Sequence, residues 1–405
     1  GKPLERLLPS PAVKEVANYL LQATTVAVSP FEVTIPVKYR TPSGKKRHQA
    51  KVFKAILHRS QGMAVLELEP RLVGESRNPL EFYHLLRNAI ARLRGTSSIG
   101  ELVQTLAAEV QALTGFDRVM VYRFDPDASG VVVAEVRQEE LESYLGLHYP
   151  ATDVPLPART LFGQNWLRLI PDVHAQPAQL LPTQHPETHQ PLDLSSAVLR
   201  GVSPCHLQYL KNMGVAASMT ISLINEKHLW GLIACHHYTP RFIDYEVRKA
   251  CEFLGQFASI ELVHQEDLEL SQYRKQVKFI QSQLRQSFAL EVGCIENVLM
   301  RNQAELLDLI HAEGVAILLD GQLTLIGQTP SREEIQELSN WLLEHQRQEV
   351  FVTDCLSSHY PPARSFKDSA SGVLAISIFL QQQSYHLFWF RPEQIQTIDW
   401  AGNPY

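Results

Sequence analysis

Apolar and polar positions alternate with a period of two in "FEVTIPVKYR", "HQAKVFKAILHR" and "MAVLELEP", runs separated by the turn-forming stretches "TPSGKK" and "SQG". Side chains of a strand point to alternate faces, so this pattern predicts a β-meander within residues 1–75. The period then changes. Asn78-Pro79 offers a helix N-cap and first turn, and "LEFYHLLRNAIARLRG" repeats its apolar residues at helical spacing. Ser98 and Glu101 have the spacing of a capping box for "IGELVQTLAAEVQALTG", and Gly115 stands where that helix should stop. Strand patterns return in "DRVMVYRFD" and "GVVVAEVRQ", which flank the turn-rich "PDAS".

From 144 to 202 the pattern loosens into Pro- and His-rich sequence, long enough to suggest a functional segment packed against a site. A short helix, "CHLQYLKNMG", and a hairpin, "SMTISLI-NEK-HLWGLIACHH", follow at once. No proline occurs between Pro240 and Pro330, and the Leu-, Gln- and Glu-rich sequence there predicts one or two very long helices, with Gly255 and Gly293 as candidate irregularities. The last part, from about 315, returns to mixed strand and helix patterns, with a hairpin in "GVAILLDGQLTLIG", a helix around "SREEIQELSNWLLEHQ" and strands in "SGVLAISIFLQQQSYHLFWFRPE". The fold class is therefore α+β, in more than one domain along a long helical spine. The abrupt start, and an end at "DWAGNPY" with no closing element, both suggest incomplete domains.

Composition adds mainly exclusions. A formal charge of −6 on 405 residues leaves no basic footprint for nucleic acid. No apolar run is long enough to span a bilayer, and the first residues lack a signal peptide's apolar segment, so no membrane partner is expected. The five cysteines, Cys205, Cys235, Cys251, Cys294 and Cys355, are sparse and contain no C-x-x-C pair, which points to a reducing, cytoplasmic setting.

Ser203 and Pro204 suit the N-cap and first turn of a helix ending at Gly214, which puts Cys205 at a helix N-terminus, where a thiolate is stabilised. Such a cysteine is open to four readings: buried thiol, nucleophile, metal ligand or attachment point. His206 and His236 adjoin cysteines, yet adjacent strand residues face opposite ways and the spacing of a zinc site is missing, so no metal is expected. In the hairpin, Ser218, Thr220 and Ser222 alternate with Met219, Ile221 and Leu223. The hydroxyl face is either solvated or the wall of a cavity for a carboxylated ligand, which Arg168 and Arg200 could clamp. Asp153 sits in "YPATDVP" between prolines that restrict the flanking backbone and can aim its carbonyl as well as its side chain.

"YPATDVP", "CHLQYLKNMGV", "HLWGLIACHH" and "FRPEQIQTIDWAGNP" together resemble the phytochrome photosensory module, in the order of that family and over almost the whole chain. The resemblance implies a PAS domain at 1–75 lacking its first part, a GAF domain at 76–255, and a PHY domain with its connecting helix at 256–405 that stops at the start of the tongue. It implies a linear tetrapyrrole held in the GAF domain and joined covalently to Cys205. In plant and cyanobacterial members a cysteine at that place carries phytochromobilin or phycocyanobilin, and the biliverdin-binding members lack it, so the resemblance points to phycocyanobilin ahead of phytochromobilin or biliverdin. By the same match, Asp153 faces the pyrrole N–H groups and His206 tunes their protonation. Arg168, Arg200, Ser218 and Thr220 bind the propionates, and His236 meets the ring D carbonyl. Tyr122, Tyr149 and Phe162 surround ring D, while Tyr209 faces the chromophore one turn after Cys205.

The implied function is a red/far-red photoreceptor, homodimeric through its long helices, with photoisomerisation at ring D relayed through PHY to an output domain. The chain itself is not expected to be an enzyme; for a full-length product the resemblance implies a histidine kinase output that acts on a response regulator. "PPARSF" at 361–366 precedes "DWAGNP" and so is not the family's tongue motif. Two other readings compete: a GAF-type regulatory sensor of a small molecule such as a cyclic nucleotide, without chromophore, and a thiol enzyme built on Cys205 and a histidine.

Overall fold

The computed structural model describes residues 4–22, 30–40, 46–60, 62–71, 79–226, 228–290, 295–319, 321–345, 349–380, 383–395 and 397–402. The chain divides into two compact units, Gly1–Glu266 with Ile398–Tyr405, and Asp267–Thr397.

The first unit opens with a 3-10 turn (Leu4–Arg6) and α1 (Ser10–Gln22), followed by β1 (Phe31–Arg40), β2 (Lys46–Ser60) and β3 (Met63–Pro70). The strands pair antiparallel in chain order, the meander that their alternation predicts. α1 has no counterpart among the sequence expectations; its Ala12 and Val16, with Leu8, cover Phe31, Val33, Ile35, Ala55 and Leu57. Residues 41–45 of the expected turn, and the N-cap Asn78, lie outside the described residues.

Next come α2 (Pro79–Arg94) and α3 (Ile99–Thr114). The Ser98 hydroxyl accepts from the Glu101 N–H at 3.2 Å, as expected of a cap. The reciprocal bond is displaced by one residue: the Glu101 carboxylate accepts from both the N–H and the hydroxyl of Ser97, each at 2.8 Å. Gly115 ends α3 at φ 64°, where a Cβ would be strained.

A six-stranded antiparallel sheet is then assembled from β4 (Arg118–Phe124), β5 (Gly130–Arg137) and β6 (His148–Tyr149), and, after α4 (Leu156–Gln164), β7 (Leu167–Ile170). Following α5 (Pro204–Asn212), β8 (Ala217–Asn225) and β9 (His228–His237) complete the order β6-β5-β4-β9-β8-β7. The 144–202 region thus carries a helix and two short strands within its Pro-rich sequence. α5 ends at Asn212, and Gly214 takes up the left-handed φ of 71° just beyond it.

α6 (Tyr245–Leu290) is one helix of 46 residues. Gly255 does not interrupt it, contrary to the expected irregularity; a Cβ there would stand 2.6 Å from the Ile221 side chain, so the glycine permits close packing of helix on strand. Gly293 lies outside the described residues. The core face of the six-stranded sheet packs Met219, Ile221 and Leu223 against Leu102, Leu106 and Leu254. Ser218 and Ser222 on the other side of β8 are buried too, which excludes the solvated-face alternative.

The second unit takes the remainder of α6, then α7 (Ile295–Arg301), α8 (Gln303–Asp308), β10 (Gly314–Leu319), β11 (Gln322–Gly327), α9 (Arg332–His345), β12 (Val350–Thr353), α10 (Leu356–His359), β13 (Gly372–Leu380) and β14 (Gln383–Arg391). Its five-stranded sheet has the order β11-β10-β14-β13-β12. One face meets Ile335, Leu338 and Leu342 of α9, and the other meets Leu299 and Leu306. "PPARSF" forms a 3-10 turn in the core of this unit. Among the described residues, no helix is long and apolar enough to cross a membrane.

Candidate ligand-binding site

The face of the six-stranded sheet turned away from α3 bounds a cavity of about 690 Å³, closed by α4, α5 and the 171–203 loop. Strand alternation selects its floor. On β9, Leu232, Ala234 and His236 line the cavity while Ile233 and Cys235 belong to the opposite core. Every residue that the resemblance assigns to the chromophore lines this cavity: Cys205, Asp153, His206, His236, Tyr122, Tyr149, Phe162, Arg168, Arg200, Ser218, Thr220 and Tyr209; Ser222 of the hydroxyl face does not, its hydroxyl donating instead to the Phe162 carbonyl at 2.7 Å. The apolar floor residues Met120, Val132, Leu232 and Ala234 also line it, and sequence reasoning missed them. The alternation of β4 and β9 about Tyr122 and His236 would have found all but Val132, which lies on β5.

Cys205 stands in the first turn of α5 as an exposed free thiol. Ser203 takes the N-cap place without a side-chain cap bond, so Pro204 sets the start of the helix. One turn on, the Tyr209 hydroxyl donates to Asp153 Oδ2 at 3.2 Å, tying α5 to the "YPATDVP" turn. Burial, together with the nearby Asp153 charge, raises the Tyr209 pKa and keeps it a donor. The turn itself is closed by the Asp153 N–H donating to the Pro150 carbonyl at 3.0 Å.

Both histidines are neutral by environment. His206 is held below its ordinary value by burial and then by the Arg168 charge. His236 is buried, with Nδ1 unpartnered, and its pKa falls to about 3 through burial first, then the Arg118 guanidinium, then His206. Arg118 faces His236 across the β4–β9 ladder and is itself buried, paired with Glu135 at 2.6 Å and stacked on Tyr144. Tyr122 and Tyr149 meet edge to face with centroids 5.8 Å apart; burial pushes the Tyr122 hydroxyl up to about 12, and that hydroxyl is unpartnered.

At the other end, Arg168 lies opposite Thr220 in the β7–β8 ladder and donates to the Gly201 carbonyl at 3.1 Å. Arg200 donates to the Ala197 carbonyl at 2.6 Å. The Nε of each is buried and unpartnered, and among the described residues neither forms an ion pair. Burial and then Arg200 bring Arg168 down to about 10; burial lowers Arg200 as well, with Glu67 opposing it. Two desolvated cations beside Ser218 and Thr220 make a corner that favours an anion. Among the described residues no group of three or more His, Cys, Asp and Glu is arranged to hold a metal ion.

Fold and cavity define a tandem-domain α+β protein built around an internal ligand site with an aromatic end and a cationic end. Three family models match in succession: the PAS fold at residues 1–71, the GAF domain at 98–262 and the phytochrome region at 280–405. The chain is 45% identical over 402 residues to cyanobacterial phytochrome B of Nostoc sp., covering 99% of this chain and 52% of that protein. It is 44% identical over 354 residues to the phytochrome-like protein Cph1 of Synechocystis sp., covering 87% and 47%. Its structure matches the bacteriophytochrome RpBphP3 of R. palustris with a TM-score of 0.85 at 37% identity, covering 100% of this chain and 78% of that one. The photosensory core module of a Stigmatella aurantiaca phytochrome matches at 0.79 and 40%, with the same coverage. The chain belongs to the phytochrome family. It spans about half the length of the curated relatives it matches. A chromophore-free regulatory GAF protein is not favoured by these relatives.

Proposed function

We propose that the chain is a red/far-red photoreceptor whose GAF cavity holds a linear tetrapyrrole. The observation that carries the reading is the composition of one cavity: a free thiol, two arginines without carboxylate partners, and a buried histidine and tyrosine with unpartnered polar atoms. Those groups fit an elongated ligand with two carboxylates, polar nitrogens and a carbonyl. When bound, a tetrapyrrole supplies red-light absorption and a double bond that light can isomerise.

The remaining chemistry belongs to this chain. Arg168 and Arg200, with Ser218 and Thr220, would take the propionates, and pairing would offset the cost of burying the guanidiniums. His236 and Tyr122 would offer hydrogen bonds at the aromatic end, which Tyr149 and Phe162 enclose. Asp153 and His206 line the same cavity as Cys205 and suit the inner pyrroles; Cys205 would hold the first ring through a thioether. Attachment at this helix, rather than outside the GAF domain, supports phycocyanobilin or phytochromobilin over biliverdin, and the cyanobacterial relatives support phycocyanobilin of the two.

The division 1–75, 76–255 and 256–405 serves as the proposed domain plan, with α2 assigned to GAF because Leu86, Ala89 and Leu93 join the core of that sheet. Exposed Tyr83, Phe253 and Ile260 on α2 and α6 support a homodimer through the helices. A histidine kinase output acting on a response regulator is proposed for a longer product, in keeping with the greater length of the relatives.

Absorbance tests the reading. Phycocyanobilin added to the ligand-free chain should generate a red band that survives denaturant in the wild type and is lost in denaturant from Cys205→Ser. A wild-type preparation with no red band would overturn it.

A further inference from the structure

We infer that Glu67, a residue of the PAS sheet, is a positioning residue for the anion-binding corner of the GAF cavity, acting by fixing the backbone that carries Arg200. The inference rests on the reading of that corner as a carboxylate site.

β3 reads Leu66-Glu67-Leu68-Glu69. The leucines enter the core of their own sheet, and period two sends both glutamates to the other face, where each is buried. Burying an unpaired carboxylate is costly, so each needs dedicated donors. Glu67 finds them in the backbone of the 171–203 loop. Its Oε1 accepts from the Val198 N–H at 3.0 Å and its Oε2 from the Leu199 N–H at 2.6 Å. His58 Nδ1 approaches Oε1 at 3.5 Å from the neighbouring strand. A second tether from the same hairpin, the Ser60 hydroxyl donating to the Asp193 carbonyl at 2.6 Å, holds the other end of this loop stretch.

Between and beside these tethers lie Leu194, Ser195, Arg200 and Gly201, all lining the cavity. Arg200 follows directly on the two captured amides, and Gly201 supplies the carbonyl that receives Arg168. The carboxylate therefore sets where both guanidiniums present themselves, and its charge opposes the desolvation of Arg200. Glu67 does not line the cavity; it acts through the loop.

Two variants test this. Glu67→Ala removes both acceptors, and Glu67→Gln keeps one oxygen should the alanine fail to fold. In the ligand-free chain, amide exchange at Val198 and Leu199 should accelerate by about tenfold or more in either variant, the loss of one charge-assisted bond; unchanged exchange overturns the tether. Binding is then compared for phycocyanobilin and its propionate dimethyl ester. Wild type should favour the free acid, and the variants should lose most of that preference while still binding the ester. An equal fall for acid and ester would show general damage and overturn the positioning role. Wild type that fails to distinguish acid from ester would instead overturn the reading of the corner as a carboxylate site.

Discussion

His236 is acted on by strand alternation, an apolar enclosure and a fixed cation at once. The alternation of β9 turns it into the cavity, burial removes its water, and Arg118 across the ladder opposes a second positive charge. Its folded pKa of about 3 lies below the ordinary 6.5. Between those values the unfolded chain takes up a proton that the folded chain refuses, so this stability is complete above about pH 7 and is lost as pH falls towards 3. His206 shifts in the same direction. One such histidine contributes a slope of at most about 1.4 kcal/mol per pH unit. Urea unfolding of the ligand-free protein should therefore show a larger loss between about pH 7 and pH 5 for wild type than for His236→Gln. Equal losses would sink the assignment. His236 was legible because a strand period and a family motif coincide on it. Arg118 and Glu135 were not, since they are 17 residues apart and become a buried pair only when β4 and β5 align.

Elements divide in the same way between local and non-local causes. α3 carries its own start and stop in Ser98 and Gly115, and β8 alternates from Ser218 to Leu223, where its register with β9 shifts, so both are legible. α1 begins with Ser10-Pro11 and spaces Ala12 and Val16 helically, a usable local signal. β7 is different: four residues in a Pro-rich region become a strand because β8 offers an edge more than forty residues later. Gly255 shows local preference losing to packing. Alanine is favoured over glycine inside a helix by about 1 kcal/mol. Here the new methyl would stand 2.6 Å from Ile221 Cγ2 and 3.4 Å from the Ser222 carbonyl in a closed core, and overpacking costs about 1–3 kcal/mol. Gly255→Ala should accordingly lower the urea midpoint, with the core of the six-stranded sheet as the site of damage. A raised midpoint would show that Ile221 can yield and that propensity wins.

At the scale of the molecule, the face of β3 that carries Glu67 and Glu69 joins two domains. Glu67 holds the loop of the cavity, and two residues on Glu69 accepts both 2.8 and 2.7 Å bonds from Arg248 Nη2 near the start of α6, 179 residues away. Arg248 also donates to the Ile243 carbonyl at 2.9 Å, and both members of the pair are buried. Alternation makes the glutamates' shared face legible; it carries no information about what covers that face, which only the fold supplies. The energetics of such a pair are asymmetric. Removing one member strands a charge out of water and costs about 3–5 kcal/mol, whereas replacing both with apolar side chains is often nearly neutral. Arg248→Met should therefore destabilise the chain by about 3–5 kcal/mol in urea unfolding, and Glu69→Met combined with Arg248→Met should recover most of the loss. A double variant as unstable as the single one would mean that packing around Arg248, including its stacking near Phe242 and Tyr245, matters more than the stranded carboxylate. Recovery of stability without recovery of protease resistance between the PAS and GAF domains would assign the charges to docking geometry rather than to stability, because an apolar pair can fill the space but cannot fix the angle at which strand meets helix.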